Sequence, residues 1–215
     1  RHLPSLSALL ASIALLTSCL HHHLIHPEAV PWEVTTWAGD VDRGSLRIHL
    51  EWACPDGPGP FPGVLVHPAS GRTAIDMRGV IWDLASRGYL AVAVDYRRLL
   101  RGEYRRSLFP WREPSDVTAS INVVMADRRV DATRLAAIGF SQGGVFSLLI
   151  AARVADVKAV VAYYPVTDFL EWLDQPRPNP LRRFVYRMIR RHFRKQSGAR
   201  DEPEFEHFLR EASPF

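Results

Sequence analysis

The residues with the clearest chemical potential in this chain are Gly139-Phe140-Ser141-Gln142-Gly143-Gly144. The apolar run Leu135-Ala136-Ala137-Ile138 precedes them, and a stretch with helical spacing begins at Val145. A serine at the tip of a sharp strand-to-helix turn projects its hydroxyl from the edge of a sheet. Glycines two places before and two after it let strand and helix approach closely. The start of the helix aims the Gln142 N–H toward the same point, where it can stabilise an oxyanion. Ser141 is therefore the candidate nucleophile for acyl transfer, and Gln142 supplies the candidate oxyanion donor. Gly-x-Ser-x-Gly alone is a weak pattern, because three fixed positions in five recur by chance. The plain alternative is a glycine-rich turn with an incidental serine. The strand before the motif, the helix after it and the additional Gly144 favour the nucleophile.

Such a serine needs a sheet to stand on, and the hydrophobic rhythm supplies one. Gly63 to Val66, Leu90 to Val94, Leu135 to Ile138 and Ala159 to Ala162 are short unbroken apolar runs, as in strands buried on both faces. Between them, helical spacing is marked by Met77, Val80, Ile81 and Leu84, by Val117, Ile121, Val124 and Met125, and by Val145, Leu148, Leu149 and Ala152. Strand alternating with helix predicts an α/β fold, a parallel sheet with helices on both faces. Glu33 to Trp37 and Leu46 to Ala53 alternate apolar and polar residues around a turn-rich separator, Gly39 to Gly44. They predict an antiparallel N-terminal hairpin, giving six strands in all.

From Asp168 to Phe215 the alternation stops. Pro176, Pro178 and Pro180 predict an irregular bridge. Leu181, Phe184, Val185, Met188, Ile189 and Phe193 then recur at helical spacing among six arginines, an amphipathic basic helix. Such a helix can lie on a membrane surface. The simpler expectation is a cap helix whose apolar stripe packs on the core. A second short helix is expected over Pro203 to Glu211.

An apolar fraction of 47% with 23% charged residues excludes disordered and collagenous chains. The net charge of +4 comes almost entirely from arginine, spread along the chain, and no nucleic-acid module is present, so nucleic acid is not an expected partner. Two cysteines exclude a disulfide framework. Cys19 has another reading. Arg1-His2, the apolar stretch Leu3 to Leu16 and the small residues before Cys19 form an export-signal pattern. Leu16-Thr17-Ser18-Cys19 is similar to a bacterial lipobox, making Cys19 a candidate for lipidation, membrane anchoring through the N-terminus and a cell-envelope or secreted location. A transmembrane anchor is the alternative, but Pro4, four serines and Thr17 leave the stretch short and polar for a span of ~20 apolar residues. The expected organisation is a signal and tether over 1–26, a core over 27–167, and a helical cap insertion over 168–215.

Several motifs together resemble the α/β-hydrolase superfamily, nearest its dienelactone-hydrolase-like and prolyl-oligopeptidase-like esterases and peptidases. They are Val64-Leu65-Val66-His67, Ala85-Ser86-Arg87-Gly88-Tyr89, Val94-Asp95-Tyr96-Arg97, Val130-Asp131 with Arg134-Leu135, the serine turn, and Tyr164-Pro165-Val166-Thr167-Asp168. The resemblance covers about Glu33 to Phe215. It implies that the loop His67-Pro68-Ala69-Ser70-Gly71 completes the oxyanion hole. Pro68 has no N–H to give, so Ala69 is the expected donor, ahead of Ser70. His67 is expected to hold that loop rather than act as a base.

The resemblance also implies the order Ser, acid, His along the chain. His192 and His207, the histidines after Ser141, read as surface cap positions, and Asp168 is a weak candidate acid whose simpler reading is a loop former. The acid, the base and the last two strands are therefore expected beyond Phe215, and the 215-residue chain is expected to hydrolyse esters poorly. The implied activity is a serine hydrolase acting on a small-molecule carboxylic ester without metal or organic cofactor. The alternatives are a prolyl-oligopeptidase-type peptidase and a non-catalytic binding protein of the same fold.

Overall fold

The structure, a computed structural model, describes residues 32–43, 46–95, 98–99 and 114–214. The expected export signal and Cys19 lie outside the described residues. Among the described residues, seven strands form one sheet: β1 (Val34–Arg43), β2 (Leu46–Pro55), β3 (Phe61–His67), β4 (Leu90–Val94), β5 (Arg98–Leu99), β6 (Val130–Phe140) and β7 (Val157–Tyr163). Their order is β1-β2-β4-β3-β6-β7, with β5 beside β2. The β1–β2 hairpin is antiparallel and joins β4 antiparallel, while β4, β3, β6 and β7 run parallel. The expected six strands become seven because β5, two residues pairing with Leu46 and Arg47, is too short to leave a periodicity.

Helices cover both faces, as the unbroken apolar runs require. The helices are α1 (Arg78–Ser86), α2 (Pro114–Ala126), α3 (Gln142–Arg153), α4 (Phe169–Asp174), α5 (Pro180–Ser197) and α6 (Glu202–Ala212). On one face Leu65, Val92, Leu135 and Ala137 pack against Ile121 and Val124 of α2 and Phe146 and Ile150 of α3. On the other, Val64, Val66, Ala91 and Ala93 meet Met77, Ile81 and Ala85 from the α1 side. Side chains alternate across a strand, so neighbours such as Val64 and Leu65 serve opposite cores.

Helices α4–α6 form a further layer on the outside of α3, where Val145 and Leu149 meet Phe169, Leu173, Phe193, Phe205 and Leu209. Helix α4 lies within the expected helical cap insertion, ahead of the proline bridge, though no separate helix was expected there. Asp168 caps it by accepting from Glu171 N–H at 2.8 Å, and Phe169 and Leu173 are its buried pair. The expectation that the whole apolar stripe of α5 packs on the core needs correction. Phe193 is buried and Ile189 half-buried, yet Leu181, Phe184, Val185 and Met188 face solvent. The helical layer grips only one side of α5, and those four residues lie around the cylinder from it.

The hairpin is tied to α1 by a charged chain. His49 bonds Asp40 through Nδ1 at 2.9 Å and Glu51 through Nε2 at 2.8 Å. Glu51, nearly buried, also accepts two bonds from the Arg78 guanidinium at 2.9 and 3.0 Å. Burial acts to lower the His49 pKa, but its bonds to Glu51 and Asp40 outweigh that and raise it above the ordinary value. A raised folded-state pKa stabilises fully below the unfolded value and loses that contribution as pH rises through the folded one. We expect wild type to exceed His49→Gln in denaturant-midpoint stability at about pH 6, with the margin vanishing by about pH 9. A margin unchanged over that range, in paired urea titrations, would refute the assignment.

Candidate active site

Ser141 occupies the turn between β6 and α3 with φ 52° and ψ −112°. Positive φ in a residue other than glycine is uncommon and costs of order 1–3 kcal/mol, so it persists only where the surroundings enforce it. Here they do so from both sides. Ser141 N–H donates to the Tyr163 carbonyl at the end of β7 at 2.8 Å, and its own carbonyl accepts from Val145 N–H at 3.1 Å. Ser141 is also the N-cap residue of α3. A serine there normally spends its hydroxyl on the helix N–H groups. This one makes no side-chain capping bond.

The glycines are explained by what surrounds them. A Cβ on Gly139 would lie 1.9 Å from the Gly143 carbonyl oxygen, and one on Gly143 would lie 2.1 Å from the His67 carbonyl oxygen. The first turn of α3 therefore rests directly on the end of β3 and on β6. The sheet register agrees, because His67 pairs with Gly139. This crossing brings the His67–Ala69 loop beside the serine turn, at the carboxyl ends of neighbouring parallel strands.

His67 is 1% exposed and sits beneath the turn. Its Nδ1 lies 2.9 Å from Ser147 Oγ, and Ser147 Oγ donates to the Gly143 carbonyl at 3.0 Å. The single hydroxyl proton of Ser147 is thereby committed, so His67 Nδ1 must be the donor in the first bond. Complete burial lowers the His67 pKa to about 3, which keeps the ring neutral. Phe146 meets its ring edge-on at 4.9 Å. His67 is thus held as a strut beneath the turn.

Pro68 is buried and Ala69 half-buried, at the start of a turn in which Arg72 N–H donates to the Ala69 carbonyl at 3.0 Å. Gly71 takes φ 79° in that turn, a conformation suited to glycine. The far end of the loop is anchored by Asp95, a buried carboxylate after β4 that accepts from Ala74 N–H at 2.5 Å. Thr73 and Asp76 add a reciprocal cap. The loop that carries Ala69 and the start of α3 at Gln142 are therefore both anchored, on neighbouring parts of the sheet. Sequence reading had no signal for the Asp95–Ala74 and His67–Ser147 bonds, which join residues far apart in the chain.

The other candidates are placed elsewhere. Asp168 is exposed and its carboxylate is engaged as the cap of α4. His192 and His207 are exposed on α5 and α6. Among the described residues, no hydrogen bond joins Ser141 to a histidine, and no group of three or more His, Cys, Asp and Glu is disposed to hold a metal.

Known proteins share this architecture, and the family model of the dienelactone hydrolases matches residues 50–180. The chain belongs to the dienelactone hydrolase family. A relative from Bradyrhizobium sp, named "Probable 2-oxo-3-(5-oxofuran-2-ylidene)propanoate lactonase", is 28% identical over 155 residues, covering 67% of this chain and 62% of its own. The solved structure of a dienelactone hydrolase-like promiscuous phosphotriesterase from metagenomic libraries matches at 25% identity and TM-score 0.52, over 61% of this chain and 59% of that one. A 2,6-dihydroxy-pseudo-oxynicotine hydrolase shares the fold at 17% identity and TM-score 0.55, over 83% of this chain and 48% of that one. The chain thus spans about three-fifths of the length of the dienelactone-type relatives it matches.

In this family member the approach of α3 to the end of β3 leaves no room for a side chain at Gly143. Gly143→Ala should destabilise the fold by at least ~3 kcal/mol, because its new methyl meets backbone oxygen rather than a side chain that can swing away. Chemical denaturation against Gly79→Ala, where nothing lies within 4 Å of the added carbon, checks this. Equal stability of the two variants would contradict the crossing as described.

Proposed function

We propose that this protein is a serine hydrolase that cleaves a carboxylic ester through an acyl-enzyme on Ser141. The observation that carries the reading is the state of that serine. It is forced to φ 52° at the head of α3, and its hydroxyl is not spent on capping the helix. Strain held at such a position by surrounding bonds is the arrangement in which a nucleophile is presented rather than stored.

In the proposed reaction Ser141 Oγ attacks the ester carbonyl while its proton passes to a histidine base. The resulting oxyanion accepts from the N–H groups of Gln142 and Ala69, with the positive end of the α3 dipole behind Gln142. The ester C–O bond then breaks, the alcohol leaves with the proton, and water hydrolyses the acyl-enzyme by the same steps in reverse roles. An ester is favoured over an amide by the lactonase relative, whose named substrate is a cyclic ester.

The base and its carboxylate partner are proposed to follow Phe215 in sequence. His67 is committed to Ser147 and stays neutral, and His192 and His207 stand on exposed helix surfaces. Asp168 is occupied by its helix cap.

A fluorophosphonate probe should label the full-length protein at Ser141, and Ser141→Ala should remove both the adduct and at least about a thousandfold of p-nitrophenyl acetate turnover. No adduct would favour a binding protein of the same fold. The 215-residue chain alone should turn over the same ester poorly. Vigorous Ser141-dependent turnover by it would place the base within these residues instead.

A further inference from the structure

Helix α5 divides its apolar residues between two faces. Its inner face holds Tyr186 against Trp172 at 4.9 Å and Phe193 against Phe169 at 5.8 Å. Its outer face carries Leu181, Phe184, Val185 and Met188, respectively 63, 56, 44 and 50% exposed. These four stand at i, i+3, i+4 and i+7, so they form one continuous stripe about 10 Å long. Four large apolar side chains aligned in water are not explained by the packing of the helical layer among the described residues.

The charges of the same helix are also divided. Arg190 pairs with Asp174 and Glu202, and Arg194 pairs with Glu202, so both serve the internal contacts. Arg183, Arg187 and Arg191 form an i, i+4 row along one flank of the stripe and, among the described residues, join no ion pair. Lys195 extends the stripe at its far end. The helix contains no Asp or Glu.

We propose that α5 is a membrane-docking surface. Its stripe enters the boundary between headgroups and acyl chains of an anionic bilayer, and Arg183, Arg187 and Arg191 bind lipid phosphates beside it. An apolar face bordered by arginines is the composition of helices that lie in the bilayer interface. Insertion across the bilayer is not implied, since no helix among the described residues is long and apolar enough to cross one. Charge selects the lipid over a second copy of the chain. A two-fold pairing of this helix with its copy would bring arginine rows together with no carboxylate on either helix to meet them. This surface is independent of the chemistry proposed for Ser141.

Co-sedimentation of the full-length protein with vesicles tests the proposal. Wild type should bind vesicles of mixed phosphatidylcholine and phosphatidylglycerol, bind phosphatidylcholine alone weakly, and be released by salt. R183E/R187E/R191E should weaken binding to the anionic vesicles by about a hundredfold. F184S/M188S should weaken it by about tenfold. All five positions are exposed, so thermal melting should be unchanged; R183Q/R187Q/R191Q gives a second reading of charge should the reversal fail to fold. Equal binding by wild type and variants would overturn the proposal, as it would assign attachment to another part of the chain. Loss of a dimer on size exclusion in F184S/M188S, with vesicle binding intact, would also overturn it by assigning the stripe to a second copy.

Discussion

The structure depends on one close approach of backbone to backbone, the first turn of α3 lying on the His67–Pro68 carbonyls at the end of β3. At Gly143 no side-chain atom can be accommodated, and at Gly139 the same is true from below. Dispersion and sheet hydrogen bonding favour the approach, while the desolvated carbonyls on both sides oppose it. Ser147 resolves part of that conflict by donating to the Gly143 oxygen, and His67 completes the chain. A buried carbonyl left without a donor would cost about 1–3 kcal/mol, comparable to the strain held at Ser141. The interior polar residues near the serine are best understood in this light. They hold two pieces of backbone at a distance that apolar packing alone does not define.

The parts around this contact are supported differently. The Ala69 loop is fixed electrostatically, by the buried Asp95 carboxylate and the Thr73–Asp76 cap. Helix α3 is fixed by packing on two sides, with Phe146 and Ile150 toward the sheet and Val145 and Leu149 toward the outer helices. The hairpin is fixed at a distance through Glu51 and Arg78. Each support reaches a different strand, so the loop and the serine turn are positioned by the sheet as a whole.

Much of this was legible in the sequence because it is periodic or local. Unbroken apolar runs placed β3, β4, β6 and β7 in a parallel sheet, and the alternation before them gave the hairpin. The glycines around Ser141 declared a crowded turn, which the distances at Gly139 and Gly143 then measured. What escaped was short, non-local or rotational. Strand β5 is two residues long, and α4 is signalled only by Asp168 and the spacing of Phe169 and Leu173. The Asp95–Ala74 bond joins residues with no shared pattern. For α5 the sequence showed an apolar stripe but not which part of it the neighbours would cover. That depends on where Phe169, Trp172 and Phe205 arrive, and no property of the helix itself encodes it.

The bond from Ser141 N–H to the Tyr163 carbonyl bears on the order of folding. Together with the pairing of Gly139 to His67, it means that the geometry of the serine is written in contacts spanning 22 and 72 residues. Contacts of such separation pay loop-closure entropy before they return any energy, and they form slowly compared with helices. Helix α3 can therefore exist while its cap residue is still an ordinary serine in relaxed backbone. The bond from Ser141 N–H to Tyr163 cannot form until β7 has docked beside β6. A nascent or partly assembled chain thus carries the full motif while the bonds that hold Ser141 at positive φ are still unmade.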